Sequence, residues 1–109
     1  HYEGLVFTFW EGSITNPHYA ELLRIYQTKF GHEPENILYV ATGHDAILVL
    51  ANVLERCGDD VTCASQTLRT QIKAFPGATG DITIDSDGIT RSMRETMFIY
   101  RQGQIVRLK

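Results

Sequence analysis

The chain has 109 residues, of which 43% are hydrophobic and 21% charged, and its formal net charge is -3. This length is enough for one small domain with one core, and the composition is ordinary for a globular protein. The acidic balance argues against a nucleic-acid binder, which would usually be strongly basic, so we expect no nucleic-acid partner. No apolar run approaches about 18 residues, so we expect no membrane-spanning helix. The chain lacks an initiator Met and opens directly on a strand-like run, which suggests a piece of a longer protein.

The first elements are a strand and a helix. Residues 5–10 are apolar and aromatic, which is typical of a buried strand. Asn16 and Pro17 then open a helix, because Asn is a good N-cap and Pro is preferred at the first helical position. Apolar residues at positions 19, 22, 23, 26 and 30 form one stripe along this helix, and Gly31 ends it.

A second helix is indicated by apolar residues at positions 46, 49, 50, 53 and 54, which we expect to form its buried face. Its start has two interpretations. In one, residues 37–40 form a short strand, and Thr42 and Asp45 form the capping box of a helix starting at Gly43. In the other, one long helix runs from about Ile37 to Arg56, and periodicity does not decide between them.

Two cysteines, Cys57 and Cys63, lie six positions apart in a polar loop. Their even number and close spacing allow a local disulfide bond and hence an oxidising compartment; the alternative is a pair of free thiols in a cytosolic protein. The position of the loop between two predicted helices favours the disulfide. Because no second Cys or His pair stands at ligand spacing, we predict no metal site, and we expect no cofactor.

The last part of the chain changes from helical to strand periodicity. A third helix starts at Thr62, with Leu68, Ile72 and Phe75 on one side, and residues 76–80 break it. Residues 82–85 alternate with period two, and residues 86–88 form a turn. Strands follow at 97–100 and 105–108, joined by a hairpin turn in which Gly103 supplies a positive φ. The order of elements predicts an α/β chain.

Catalytic and phosphate-binding patterns are weak. The four histidines lie at positions 1, 18, 32 and 44, and none stands beside a Ser or Cys in a pattern that marks a nucleophile. The Gly77-Ala78-Thr79-Gly80 stretch has neither the Lys nor the following helix of a phosphate-binding loop. We therefore predict that the chain is not an enzyme.

The run from Phe75 to Gly88 resembles the Phe-x-Gly-x-Thr-Gly-x-Ile-x-Phe-Asp-x-x-Gly stretch of the Leu/Ile/Val binding protein family, the type I periplasmic solute-binding proteins. Upstream, the 43–46 stretch resembles the family's Gly-Tyr-Asp-Ala at a helix start. The opening 2–8 and closing 97–108 stretches match family strands in the same order, so the resemblance covers the whole chain. Two positions depart from the pattern, because Ile84 stands where Phe is usual and His44 where Tyr is usual.

The resemblance implies a partial type I, Venus-flytrap fold of the α/β class, with helices packed on incomplete sheets and antiparallel strands at the C-terminal end. The chain would be the C-terminal segment of a two-lobed ligand-binding domain. Residues 1–10 and 96–109 would be strands of the second lobe, and residues 11–95 would be the helices and strand of the first.

The implied function is extracytoplasmic binding of an amino acid, amide or organic acid for import through the membrane permease of an ABC transporter. The chain would be periplasmic or secreted. Tyr39, Thr42 and His44, at the start of the second helix, would contact the ligand at the cleft rim. Alternatives are a self-contained α/β protein-interaction module and the sensory ligand-binding domain of a receptor. Since one side of the cleft would be nearly absent, we expect the chain alone to self-associate as a dimer.

Overall fold

The computed structural model describes residues 2–91 and 95–108, so residues 1, 92–94 and 109 of the predicted lobe segments lie outside the described residues. Within that part of the chain there are three helices and five strands. In chain order they are β1 (Val6–Trp10), α1 (Pro17–Phe30), α2 (Ile37–Cys57), α3 (Val61–Thr70), β2 (Phe75–Gly77), β3 (Gly80–Ile82), β4 (Glu95–Arg101) and β5 (Gln104–Arg107). The mixed helix and strand composition confirms the predicted α/β class.

Helix α1 begins and ends at the predicted residues. The side-chain oxygen of Asn16 accepts a hydrogen bond from the backbone N–H of His18 at 3.0 Å, and Pro17 occupies the first turn. At the other end Gly31 has a φ of 78°, and its N–H donates to the carbonyl of Gln27 at 2.8 Å. Both caps satisfy backbone groups that a helix end leaves without a partner.

Helix α2 is the single long helix of the second interpretation, and the capping-box interpretation is wrong. The Thr42 hydroxyl donates to the carbonyl of Leu38 at 2.9 Å, four residues back, as it does inside a helix. Asp45 does not bond the start of α2, because its carboxylate accepts hydrogen bonds from the turn between β2 and β3.

The buried face of α2 also differs from the predicted one. The buried residues follow a four-residue spacing, and of the five apolar residues expected to define the face, Ala46, Leu50 and Leu54 are exposed. The buried stripe consists of Ala41, Asp45, Val49 and Val53. A sequence that is apolar around the whole helix cannot say which side faces the core, and here a buried carboxylate marks that side.

Helix α2 is long and apolar enough, by length and composition, to cross a membrane, which corrects the expectation that no segment reaches that length. The core helix of a globular protein can have the same length and composition. In α2 the buried Asp45 is hydrogen-bonded to a neighbouring hairpin, which is what a helix packed in a protein shows.

Helix α3 starts one residue before the predicted position and is shorter than predicted. Its N-cap is Asp60, whose carboxylate accepts from the N–H of Cys63 at 3.0 Å. The helix ends at Thr70, so Ile72 and Phe75 lie beyond it. Both nevertheless pack in the same apolar cluster as Leu68, as the pattern predicted.

The strands form two small antiparallel sheets. One is a three-stranded sheet with the order β1-β4-β5, and the other is the β2–β3 hairpin. Gln102 and Gly103, with φ of 50° and 75°, form the turn between β4 and β5, as a two-residue hairpin turn requires. The β2–β3 pairing was not predicted, because Pro76 and the glycines indicated only a break.

Two apolar clusters hold the helices and the β2–β3 hairpin together. The first joins the end of β1, both long helices and the β2–β3 turn through Trp10, Tyr19, Leu22, Ala41 and Ala78. The second lies between α2, α3 and β3 and contains Val49, Val53, Ile72 and Ile82. The first cluster fixes the junction between the three-stranded sheet and the helices, where the candidate site lies.

Candidate functional site

A cleft of about 860 Å³ lies where the link from β1 to α1 meets the turn of the β2–β3 hairpin. One wall is the chain from the end of β1 to the first turn of α1, and the other is the hairpin with Arg91 beside it. The lining residues are Trp10, Glu11, Ser13, Thr15, Asn16, Pro17, His18, Pro76, Gly77, Ala78, Thr79, Gly80, Asp81 and Arg91.

Asn16 joins the two walls of the cleft. Its side-chain amide donates to the carbonyls of Gly77 and Ala78 at 2.9 and 3.3 Å, while its oxygen caps α1. A residue at an N-cap position therefore also holds the hairpin turn. Sequence reasoning identified Asn16 as a cap and missed this second role, because only the tertiary fold brings residue 77 to it.

Asp45 holds the same turn from the other side. Its carboxylate accepts hydrogen bonds from the N–H groups of Ala78 and Thr79 at 2.7 and 2.8 Å and from the Thr79 hydroxyl at 2.6 Å. His44 adds a contact from Nδ1 at 3.0 Å. Gly77 leaves the space for this arrangement, because a Cβ there would lie 2.5 Å from an Asp45 oxygen.

The environment of Asp45 favours its ionised form. Burial acts to raise the pKa of this carboxyl, but the hydrogen bonds from Thr79, His44 and Ala78 together outweigh burial, so its pKa lies below the ordinary value. Asp45 is therefore a buried, charged anchor that fixes the backbone of one cleft wall. The Gly-x-Asp-Ala motif of residues 43–46 singled out Asp45 in the sequence, but it did not indicate which groups Asp45 would hydrogen-bond.

The cleft rim carries charges of both signs. Glu11 and Asp81 supply carboxylates, and Arg91 and His18 lie on the same lining. Glu11 lies 3.3 Å from the guanidinium of Arg107 on β5, so the rim also connects to the three-stranded sheet. Ser13 in the lining is hydrogen-bonded to Thr15 at 2.7 Å. A rim of mixed charge can pair with both ends of a zwitterion.

The structure does not bring the three predicted ligand residues onto one face. They lie in α2, from its first to its third turn. Tyr39 is the third residue of the helix, so its N–H is among those that a helix start leaves without an intrahelical partner. Thr42 and His44 lie beyond that turn, so the expectation of free N–H donors at a helix start is wrong for these two residues. Tyr39 is 74% exposed, whereas Thr42 is hydrogen-bonded to Leu38 and His44 to Asp45. At 100° per residue, Tyr39 and His44 point in directions about 140° apart.

None of the three lines the cleft. Thr42 instead lines a second, mostly apolar groove of about 450 Å³ between α2 and the strand that follows the hairpin turn. The cleft residues that were not predicted lie in short polar stretches, which the sequence analysis interpreted as a loop and a turn. Such stretches have no helical or strand periodicity, so the pattern of apolar residues could not identify them.

The predicted disulfide between Cys57 and Cys63 is present, with their Cα atoms 5.6 Å apart. It joins the last residue of α2 to the first turn of α3. Neither cysteine lines the cleft, and the bond closes the loop between the two helices. Its role is therefore structural.

No family model matches the sequence, and no curated protein does. Solved structures match over nearly the whole chain. A leucine-binding protein, LivK, from Thermotoga maritima is 29% identical, with a TM-score of 0.71 over 99% of this chain. An ABC transporter substrate-binding protein from Desulfitobacterium hafniense, solved in complex with Leu, is 23% identical with a TM-score of 0.74 over 98% of the chain.

A putative branched-chain amino acid ABC transporter protein from Rhodospirillum rubrum gives 21% identity and a TM-score of 0.64 over 98% of the chain. The chain spans only 31% to 32% of the length of these three proteins. All three are named as binding or transport proteins. The resemblance indicated by the sequence motifs is therefore confirmed, and the chain has the fold of about one third of a type I periplasmic solute-binding protein.

Proposed function

We propose that this chain is part of an extracytoplasmic receptor that captures an amino-acid-like or organic-acid ligand for an ABC importer. The observation that carries the proposal is the match of nearly all of the chain to a leucine-binding protein and to a binding protein solved with Leu, at TM-scores of 0.71 and 0.74. The same likeness supports the permease partner and the periplasmic or secreted location as parts of this proposal. The disulfide supports an oxidising compartment.

The chain contributes to both lobes of that receptor. We assign residues 1–10 and 96–109 to the second lobe and residues 11–95 to the first. Two features support the division: β1, β4 and β5 form a sheet of their own, and the cleft lies at the junction between that sheet and the helices. Ligand binding would stabilise a closed arrangement of the two lobes through contacts to both.

Tyr39, Thr42 and His44 remain the proposed ligand contacts. Tyr39 has the strongest support, because its ring is largely exposed on a helix whose start packs beside the cleft junction. The Thr42 hydroxyl and the His44 ring would have to exchange their present partners, or share them, to bind a ligand. Tyr39 should therefore have the largest effect of the three.

The test measures L-leucine binding by calorimetry to the longer receptor that carries this segment. Tyr39→Ala and His44→Ala together should weaken binding at least tenfold, and Tyr39→Ala should account for most of the loss. Tyr2→Ala, another largely exposed tyrosine that packs on Tyr100 in the sheet, is the matched control and should leave affinity unchanged. Unchanged affinity in the double variant would refute the assignment.

The 109-residue chain by itself should not bind L-leucine measurably, because affinity in a two-lobed receptor comes from both sides of the cleft. We also propose that the isolated chain self-associates, with a dimer as the smallest assembly. The alternative of a self-contained interaction module predicts a compact domain with a radius of gyration of about 13 Å for this length. The observed radius of gyration is 16.9 Å, which favours the receptor.

A further inference from the structure

The link between β1 and α1, residues 11–16, joins the three-stranded sheet to the helices. It is short and mostly exposed, and an ion pair between Glu11 and Arg107 at 3.3 Å connects its first residue to β5. Its last residues form a turn, in which the N–H of Asn16 donates to the carbonyl of Ser13 at 2.9 Å. The link is therefore held at both ends, and the contacts of its middle decide the angle between the sheet and the helices.

Tyr19, in the first turn of α1, packs against the middle of this link. A Cβ built on Gly12 would lie 2.6 Å from the Tyr19 hydroxyl oxygen and closer still to the ring atoms Cζ and Cε2. The backbone of Gly12 therefore lies directly against the ring. Tyr19 is buried, and Trp10 at the end of β1 packs on it edge-on, with 5.7 Å between ring centres. One aromatic side chain of α1 thus contacts both the sheet and the link.

Gly12 provides room for the ring of Tyr19 and not a special backbone conformation. Its φ lies outside the left-handed region that favours glycine, so an alanine could adopt the same backbone. Carbon atoms in contact lie about 3.5–4.0 Å apart, so the Cβ of an alanine at this position would displace the ring or the link by about 1 Å or more. Because a close-packed interior transmits such strain, the displacement would reach the sheet.

We propose that Tyr19 is a positioning residue, whose ring against Gly12 and Trp10 sets the angle between the β1-β4-β5 sheet and the helices and hence the width of the cleft. Glu11 and Ser13, the neighbours of Gly12, line the cleft, so a movement of the link at Gly12 moves that wall. Where it concerns a ligand, this proposal rests on the proposed function, because the sheet and the helices were assigned to different lobes.

The opposite wall of the cleft is held by contacts other than those of Tyr19. The side-chain amide of Asn16 donates to the carbonyls of Gly77 and Ala78, and the carboxylate of Asp45 accepts from the same turn. These bonds tie the hairpin turn to α1 and α2. A displacement at Gly12 therefore moves the sheet relative to the hairpin, and does not carry both walls together.

A preset angle lowers the cost of closing the cleft on a ligand. The apparent affinity of a receptor is proportional to the fraction of molecules in the binding-competent arrangement. If the Tyr19 ring holds the sheet close to that arrangement, less conformational freedom is lost on binding. A change of the angle should therefore weaken ligand binding.

The first measurement is the distance between two spin labels in the longer receptor that carries this segment, without ligand. The labels are placed at Gln27→Cys on α1 and Gln104→Cys on β5, two exposed positions. Gly12→Ala should shift the mean distance by about 1 Å or more. Adding Tyr19→Leu should restore the distance, because leucine lacks the ring atoms that the new Cβ would meet. Adding Tyr19→Phe should not restore it, because phenylalanine keeps Cζ and Cε2.

Gly43→Ala is the matched control, because a Cβ at Gly43 meets nothing within 4 Å, and it should leave the distance unchanged. The second measurement is L-leucine affinity by calorimetry, which should weaken about tenfold in Gly12→Ala and recover when Tyr19→Leu is added. If Gly12→Ala does not fold by circular dichroism, Tyr19→Leu alone replaces it, and the loss of the ring should broaden the distance distribution and weaken binding.

The two measurements separate this proposal from the proposed function. An unmodified receptor that does not bind L-leucine would contradict the function, whereas the label distances would still decide whether Tyr19 sets the angle. An unchanged distance in folded Gly12→Ala, a distance that Tyr19→Leu does not restore, or a shifted distance with unchanged leucine affinity would each overturn the role of Tyr19. A lower Tm with no shift in distance would show that the ring contributes to stability alone.

Discussion

At the residue scale, Asp45 decides how one wall of the cleft is built. A buried carboxylate that accepts two backbone N–H groups and a hydroxyl satisfies donors that would otherwise have no partner. The structure of the β2–β3 turn thus depends on a residue 33 positions away in the sequence. The sequence pattern placed Asp45 in a motif, and the structure shows that this residue holds the turn between β2 and β3.

Substitution of Asp45 should destabilise the chain strongly. Asp45→Ala leaves three buried donors without a partner, so we expect a loss of about 3 kcal/mol in the free energy of unfolding. Asp45→Asn should cost less, because one side-chain oxygen remains as an acceptor. The measurement is urea unfolding followed by circular dichroism. Asp81→Asn, an exposed carboxylate in the same hairpin, is the control and should change stability by less than about 0.5 kcal/mol.

Stability should fall in acid partly because of Asp45. Its folded-state pKa is depressed, so its contribution is fully present above the unfolded-state value of about 3.9 and is lost as the pH falls through the folded-state pKa. We expect the contribution of Asp45 to the free energy of unfolding to decline as the pH falls below about 4. The contribution of Asp45 is measured by comparing the free energy of urea unfolding of the unmodified chain and of Asp45→Asn between pH 3 and pH 7. The same dependence on pH in the two proteins would contradict the prediction.

At the element scale, α2 is the helix around which the others are arranged. Its inner stripe packs on α3 and the β2–β3 hairpin, and the disulfide ties its last residue to α3. Thr67 lies near both sulfur atoms of the disulfide. Its hydroxyl oxygen is 3.4 Å from the Sγ atom of Cys57 and 3.9 Å from the Sγ atom of Cys63. The α2–α3 pair is therefore a covalently closed unit.

Removing the disulfide should lower stability by roughly 2 kcal/mol, because its short loop removes chain entropy from the unfolded state. The Cys57→Ala, Cys63→Ala double variant tests this in denaturant melts, with the reduced unmodified chain as a second measurement. Labelling of the unfolded, unreduced chain should find no free thiol. Two labelled thiols, or equal stability of the double variant, would contradict the expectation.

At the scale of the whole molecule, the chain is elongated, with principal extents of 54, 34 and 24 Å. The helices share two apolar clusters with the β2–β3 hairpin, whereas Trp10 is the one buried residue of β1 and packs against Tyr19 on α1 at 5.7 Å between ring centres. Such a shape leaves much apolar surface uncovered. The behaviour of the isolated chain in solution should therefore be dominated by association.

The sequence by itself determined the features that depend on near neighbours. Asn16 and Gly31 set the ends of α1, Gly103 set the hairpin turn, and the spacing of Cys57 and Cys63 set the disulfide, because caps, turns and short loops are formed by residues close in the chain. The family pattern was readable for the same reason, since its motifs are contiguous.

Only the tertiary structure decided which side of α2 is buried and where the cleft lies. An apolar sequence around a whole helix carries no directional signal, so the choice depended on the carboxylate of Asp45 meeting the 77–80 turn. The cleft lining comes from two loops about 60 residues apart, joined by Asn16. Hydrogen bonds between distant loops leave no periodic trace in a sequence, which is why the site had to be seen in the fold.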